Sequence, residues 1–331
     1  METRALWHLS TRQSLIREGR TGRPEPGECL VQAYYSMISV GTERLVARGG
    51  VPPALYAEMA VPYMQGSFAF PLAYGYSLTG VVLEGPREWL GERVHLMHPH
   101  QTVCRVRTAD LTVIPQAVPL DRAVLASNLE TAVNALWDAG PLIGQEVLVV
   151  GFGLVGALVA HLLQPIPGIR VHVAEPLPAR AAMARRLGHD ILDPEEPLQD
   201  HFDLVFHTSA TPEGLQAGLD RLRPEGALIE LSWYGQRPVS LDLGGSFHYG
   251  RKRIFSSQVS HIAPAARPHW DARRRKELVF RFLEDPALDQ YLGRAIPFEQ
   301  SADFFNELRQ SPLQDINAHL DYGQPPLLVQ E

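Results

Sequence analysis

Over the first 120 residues, apolar and β-branched side chains come in short runs broken by glycine and proline. Glu28 to Tyr35, Gly75 to Leu83 and Gly91 to Met97 each read as a strand, with Glu84-Gly85-Pro86 as a turn between the last two. This pattern predicts a compact β-rich domain. Near residue 121 the period changes. Asp121 to Ala139 carries its apolar residues at helical spacing, and Gly140-Pro141 punctuates its end. Strand and helix then alternate: Glu146 to Val150, Leu154 to Leu163, Arg170 to Ala174, Ala179 to Leu187, Phe202 to His207, Pro212 to Leu222, Ala227 to Leu231 and Arg253 to Val259. Alternation of this kind predicts right-handed crossovers and an α/β, doubly wound parallel sheet with helices on both faces. After residue 260, Asp271 to Glu284 reads as a helix with Leu278, Val279, Phe282 and Leu283 on one face. Ala295 to Leu308 then reads as a strand and helix returning to the first domain. The expected division is 1–122, 123–260 and 261–331.

Composition narrows the class of protein. The 331 residues are 45% hydrophobic and 20% charged, with a net charge of −7, as in ordinary globular chains. An acidic balance argues against a nucleic-acid partner, so Arg273-Arg274-Arg275-Lys276 reads as a solvated helix face. Lys252 and Lys276 are the only lysines among 30 basic residues, a skew that codon usage explains without function. No apolar run reaches about 20 residues and the N-terminus lacks an apolar signal core, so neither a membrane partner nor secretion is expected. Only Cys29 and Cys104 occur, which leaves no disulfide framework and predicts a reducing, cytoplasmic setting.

Gly151-Phe152-Gly153-Leu154-Val155-Gly156 follows an apolar strand and opens a helix. In that setting the first glycine permits a tight turn, the second lets backbone approach a pyrophosphate, and the third lets helix and strand pack closely. Helix N-terminal amides then hold the phosphates. Glu175 ends the next strand, where a carboxylate accepts bonds from ribose hydroxyls and repels a 2′-phosphate, so NAD is expected rather than NADP. Arg180 lies close by, as a lid beside the adenine or a partner of Glu175. Ser209, Ser232, Trp233, Ser257 and Gln258 follow later strands and are expected to face the nicotinamide half, since ligands lie outside the carboxyl ends of such strands.

With these motifs in place, the layout resembles the medium-chain dehydrogenase/reductase superfamily. The likeness covers nearly the whole chain: Gly75-Tyr76-Ser77-Leu78-Thr79-Gly80 stands for G-H-E-x-x-G, Gly91-Glu92-Arg93-Val94 for G-D-R-V, and Ile296-Pro297-Phe298-Glu299 matches a late segment. Ile38-Ser39-Val40-Gly41-Thr42-Glu43-Arg44-Leu45 is most similar to the bacteriochlorophyllide dehydrogenase branch. The resemblance implies a Rossmann domain, a chaperonin-10-like catalytic domain, and a homodimer joined through the segment Phe247 to Val259.

The departures concern zinc. The superfamily's first catalytic ligand aligns with Ser39 and its histidine with Tyr76, while the four-cysteine lobe is missing. Zinc is held by thiolate, imidazole or carboxylate, so no zinc is expected. Glu43, His98, His100 and Glu130 are possible ligands, but their spacing matches no recognised site. Without a metal, Tyr76 is the first choice for proton donor. Ser39 stands beside it, Thr42 and Arg44 are relay candidates, and His98 or His100 are substitutes; shifting the alignment by one residue exchanges Gly41 and Thr42. The aromatic-rich segment Tyr56 to Tyr76 lines an apolar pocket or packs as core.

Three functions follow. The first is an NAD-dependent dehydrogenase of a secondary alcohol, or reductase of the ketone, acting on a small-molecule substrate. The second is a zinc-free quinone or enone reductase using NADPH. The third is a nucleotide-binding protein without catalysis.

Overall fold

The computed structural model describes residues 1–140, 142–192 and 201–324; Pro141, expected to punctuate a helix, lies outside them. The chain divides into two compact units. The first holds residues 1–127, 280–313 and the described residues from Asn317 onward. The second holds 128–279 with 314–316. The divisions fall inside the helices Ala126–Ala139 and Ala272–Phe282 rather than at residues 122 and 260.

In the first unit, strand Glu28–Ile38 is the hub. It pairs antiparallel with Leu78–Glu84, Val103–Arg107 and Ala318–Asp321, and the last of these pairs parallel with Arg294–Pro297. Cys29, Val31 and Ala33 alternate onto one face and bury against Leu78, Val82, Val94, Leu96, Cys104 and Val106. The returning segment closes a second core: Phe304, Phe305 and Leu308 of helix Ser301–Gln310 pack with Leu6, Ile38, Ile296 and Leu320. The hairpin Glu2–Ser10 and Gln13–Arg20 and the helix Val40–Ala47 were not foreseen from the sequence.

The single helix expected over Asp121 to Ala139 is two, Leu120–Ala123 and Ala126–Ala139. Side-chain donors explain the break. Thr79 Oγ1 donates to the Leu120 carbonyl (2.9 Å) and Ser77 Oγ to the Val124 carbonyl (2.7 Å). Val124 and Leu125 donate three residues back, to Asp121 and Arg122, in a tighter turn.

In the second unit, six strands among the described residues form a parallel sheet. Their order is Asp190–Ile191, Arg170–Ala174, Glu146–Val150, Phe202–His207, Leu222–Glu230 and Arg253–Ser256. The two central strands are nearly continuous apolar runs, as a sheet buried on both faces requires. Leu148, Val150, Phe202, Val205 and Leu228 of the sheet bury against Leu215 and Leu219 of helix Pro212–Asp220. The last strand stops at Ser256, short of the expected Val259, and the one before it begins at Leu222 rather than Ala227. No helix among the described residues is long and apolar enough to cross a membrane.

Candidate functional site

The glycine loop begins where strand Glu146–Val150 ends. Gly151 has φ +95°, and a Cβ there would lie 2.9 Å from the Ser209 backbone. At Gly156 a Cβ would lie 2.1 Å from the Gly151 carbonyl oxygen, so only glycine lets helix Leu154–Leu163 approach this closely. Gly153 differs: the nearest atom to its Cβ position is Arg180 Nη1 at 3.7 Å. Packing dictates the first and third glycines, while the second leaves open space over its backbone, which is what a pyrophosphate needs. Phe152 and Leu154 turn their side chains into the core and Val155 is half-buried, so the first two offer a ligand their backbone alone.

Glu175 follows strand Arg170–Ala174. Its carboxylate accepts from the Phe152 N–H (2.7 Å) and the Leu177 N–H (2.8 Å), tying the strand end to the glycine loop. Arg180 Nε donates to the carbonyls of Gln314 and Asp315. Burial lowers the Arg180 pKa, and the charges of Glu175 and Asp315 oppose that shift.

A cluster that the sequence reading missed stands at the carboxyl ends of the central strands. His207 is buried, with Nδ1 2.8 Å from a Glu230 carboxylate oxygen and Nε2 2.7 Å from Ser209 Oγ. The two residues are register partners in adjacent parallel strands, a pairing that no single run of sequence reveals. Ser232 donates its N–H to Glu230 (2.6 Å) and accepts the Ala210 N–H, while Tyr234 donates to Glu230. Ser209 and Ser232 are therefore brought together, and Trp233 is half-buried next to Ser232. Ser257 donates to Asp138 (2.7 Å) and Gln258 accepts from Ser260, so both side chains have protein partners.

In the first unit, the Tyr76 phenol lies near enough to the Ser39 and Thr42 side chains for both to pull its pKa down. Burial, then the negative charge of Glu43, pushes the Tyr76 phenol up to about 12, against the pull of those two hydroxyls. A ladder of aromatic contacts, Tyr56–Phe68, Phe68–Tyr74 and Tyr74–Tyr76, leads to the same point; the rings pack on one another, the core alternative for that segment.

The other proton-handling candidates are placed differently. Arg44 Nε donates to the Leu308 carbonyl (2.7 Å), anchoring helix Val40–Ala47 to the returning helix. His98 stacks on Tyr63 and sets Nδ1 against the Pro99 carbonyl; burial pulls its pKa down to about 4. His100 is buried between Ser36 and Glu43, with Nε2 2.8 Å from the Glu43 carboxylate. Arg44 and His98, expected as relay and substitute donor, are each held by partners within the first unit. As for the possible metal ligands, Glu130 is ion-paired with Arg275 and Lys276 in the second unit, and Glu43 is engaged by His100 and the Ser39 N–H. Among the described residues, no group of three or more His, Cys, Asp or Glu side chains converges to hold an ion. With neutral hydroxyls at Ser39 and Tyr76, the residues present do not fit the superfamily's catalytic zinc.

No family model matches the chain. The 2-desacetyl-2-hydroxyethyl bacteriochlorophyllide A dehydrogenase of Rhodobacter capsulatus is 28% identical over 236 residues, 64% of this chain and 67% of that protein. The L-idonate 5-dehydrogenase (NAD(P)(+)) of Escherichia coli is 25% identical over 169 residues, 45% of this chain and 49% of that protein. These matches span about half to two thirds of the relatives' length. The solved structure of L-idonate 5-dehydrogenase from Escherichia coli superposes with a TM-score of 0.76 at 15% identity, covering 97% of this chain and 99% of that one. The chain is similar to dehydrogenases of the medium-chain dehydrogenase/reductase superfamily and shares their fold. Members of that superfamily are NAD(P)-dependent oxidoreductases, and both expected components of the fold, the Rossmann sheet and the chaperonin-10-like β-rich unit, are present.

Proposed function

We propose that this chain transfers hydride between NAD(H) and a secondary alcohol or its ketone without a catalytic zinc. The observation that carries the reading is the hydroxyl cluster of Tyr76 and Ser39, which align with zinc ligands of relatives, with the relay candidate Thr42 beside them. The bound nicotinamide supplies the hydride chemistry. The open space at Gly153, the helix amides behind it and the Glu175 carboxylate suit the dinucleotide. In ketone reduction Tyr76 donates its proton to the substrate oxygen, and the O–H groups of Ser39 and Thr42 donate to the phenolate left behind. With a pKa of about 12 Tyr76 is protonated at neutral pH, the form an acid requires. In the reverse direction the same cluster receives the alcohol proton.

The test is cofactor oxidation with a panel of ketones and enones. NADH turnover with ketones supports the reading; NADPH turnover with conjugated C=C substrates would assign the chain to the enone reductases instead. Elemental analysis of purified protein should find no stoichiometric zinc, and one tightly held zinc per chain would overturn that part. Both cysteines are buried and free, which suits a reducing compartment such as the cytoplasm. We further propose a homodimer joined at Arg253–Ser256, the edge strand of the parallel sheet, since an unpaired edge invites a partner strand.

A further inference from the structure

Glu43 and His100 are hydrogen-bonded side chains (2.8 Å) with about 1% and 0% of their area exposed, and burying polar groups so completely asks for a reason. On one side, Glu43 Oε1 accepts the Ser39 N–H (2.8 Å) while the Glu43 N–H donates to the Ser39 carbonyl (2.8 Å). This fixes the first turn of helix Val40–Ala47, which carries Thr42. On the other side, the His100 N–H donates to the Tyr74 carbonyl (3.3 Å), and the His100 ring lies against Gly75, where a Cβ would come within 3.2 Å of Nε2. Gly75 has φ +138° and immediately precedes Tyr76. Behind the ring, Nδ1 meets Ser36 Oγ (2.7 Å), which in turn meets Tyr322 (3.0 Å).

We propose that Glu43 and His100 are positioning residues: their pair clamps the segment bearing Ser39 and Thr42 to the segment bearing Tyr76, so that the three hydroxyls meet. The carboxylate also sets the charge felt by the phenol. Around Tyr76 the titratable groups are Glu43 on the helix, Tyr74 on its own segment, and His100 beyond Glu43. The clamp deepens the proposed function, yet its test does not depend on turnover.

A tyrosine analogue of lowered phenol pKa, 2,3,5-trifluorotyrosine, placed at position 76 of the full chain gives a titration readable by fluorine NMR. In Glu43→Gln, which keeps an oxygen for the Ser39 N–H but removes the charge, the midpoint should fall by about one pH unit. In His100→Asn the carboxylate loses its second anchor, and the resonance should broaden or split. Ser36→Ala, a milder change behind His100, serves if that variant does not fold, and should broaden the line in the same way. A single sharp line with an unaltered midpoint in Glu43→Gln, together with an unaltered line in His100→Asn or Ser36→Ala, overturns the proposal. A shifted midpoint in a protein that reduces no ketone leaves the clamp standing and sinks the reading of Tyr76 as the acid.

Discussion

Tyr76→Phe keeps the ring against Tyr74, 6.1 Å between centroids, and removes the hydroxyl proposed as the acid. Ketone reduction should fall by roughly 10²–10⁴-fold, the usual worth of general acid catalysis, with the NADH dissociation constant unchanged. An unaltered kcat would eliminate Tyr76 from the chemistry. Glu175 presents a second test at this scale. A 2′-phosphate would meet its carboxylate, and charged hydrogen bonds carry about 1.5–3 kcal/mol, so NADH should bind tens- to a hundredfold tighter than NADPH. Titration of Glu175→Ser with both cofactors should narrow that gap. Tighter NADPH binding by the unmodified chain would show that Arg180, whose Nη1 lies 3.7 Å from the Gly153 Cβ position, governs the choice instead.

The strand–loop–helix element Glu146 to Leu163 separates two kinds of glycine. A methyl group at Gly156 would lie 2.1 Å from the Gly151 carbonyl oxygen and 2.6 Å from Thr208 Oγ1, so Gly156→Ala must push the helix away from the strand. Lower thermal stability and weaker NADH binding should appear together. Gly153→Ala meets no backbone and only the far end of Arg180; its melting temperature should stay within a degree or two of the parent while NADH affinity drops about tenfold or more, an order-of-magnitude figure for a lost close approach. Equal melting losses in both variants would contradict this division. The same element shows how legible the site was. The motif, its strand and its helix were readable because glycine spacing and apolar period are carried within one short run of sequence, and the helix Leu154–Leu163 falls where its apolar pattern predicts. The expected helix over Asp121 to Ala139 was not, because Ser77 and Thr79 act on its carbonyls from more than 40 residues away.

For the whole molecule the clearest physical consequence is acid sensitivity. Burial is the main cause that pulls His8 down to about 3 and His98 and His189 down to about 4, each from an ordinary value of 6.5. Above pH 6.5 these rings are neutral folded or unfolded and cost nothing. Below it the unfolded chain takes protons that the folded chain refuses, so stability falls as pH drops from 6.5 toward 4, and for His8 toward 3. Each such group contributes about 1.4 kcal/mol per pH unit across its window. Urea unfolding at pH 7.5 and pH 5 should show the loss, and a pH-independent midpoint would refute it. Light scattering at micromolar concentration addresses the assembly; a monomer there would count against pairing through Arg253–Ser256.

What the sequence determined by itself was whatever rests on near neighbours in the chain. The alternation of strand and helix, the glycine loop and the carboxylate ending the second strand all follow from local period, turn chemistry and spacing. Side chains whose partners are distant in sequence were decided by tertiary structure alone. His98 and His100, two residues apart, looked equivalent, yet one stacks on Tyr63 and the other pairs with Glu43, 57 residues away. His207 and Glu230 meet only because two parallel strands adopt one register. Arg44 is drawn to the carbonyl of Leu308, 264 residues on. A hydrogen bond needs its partners within about 3 Å, and which residues come that close is set by how the elements pack.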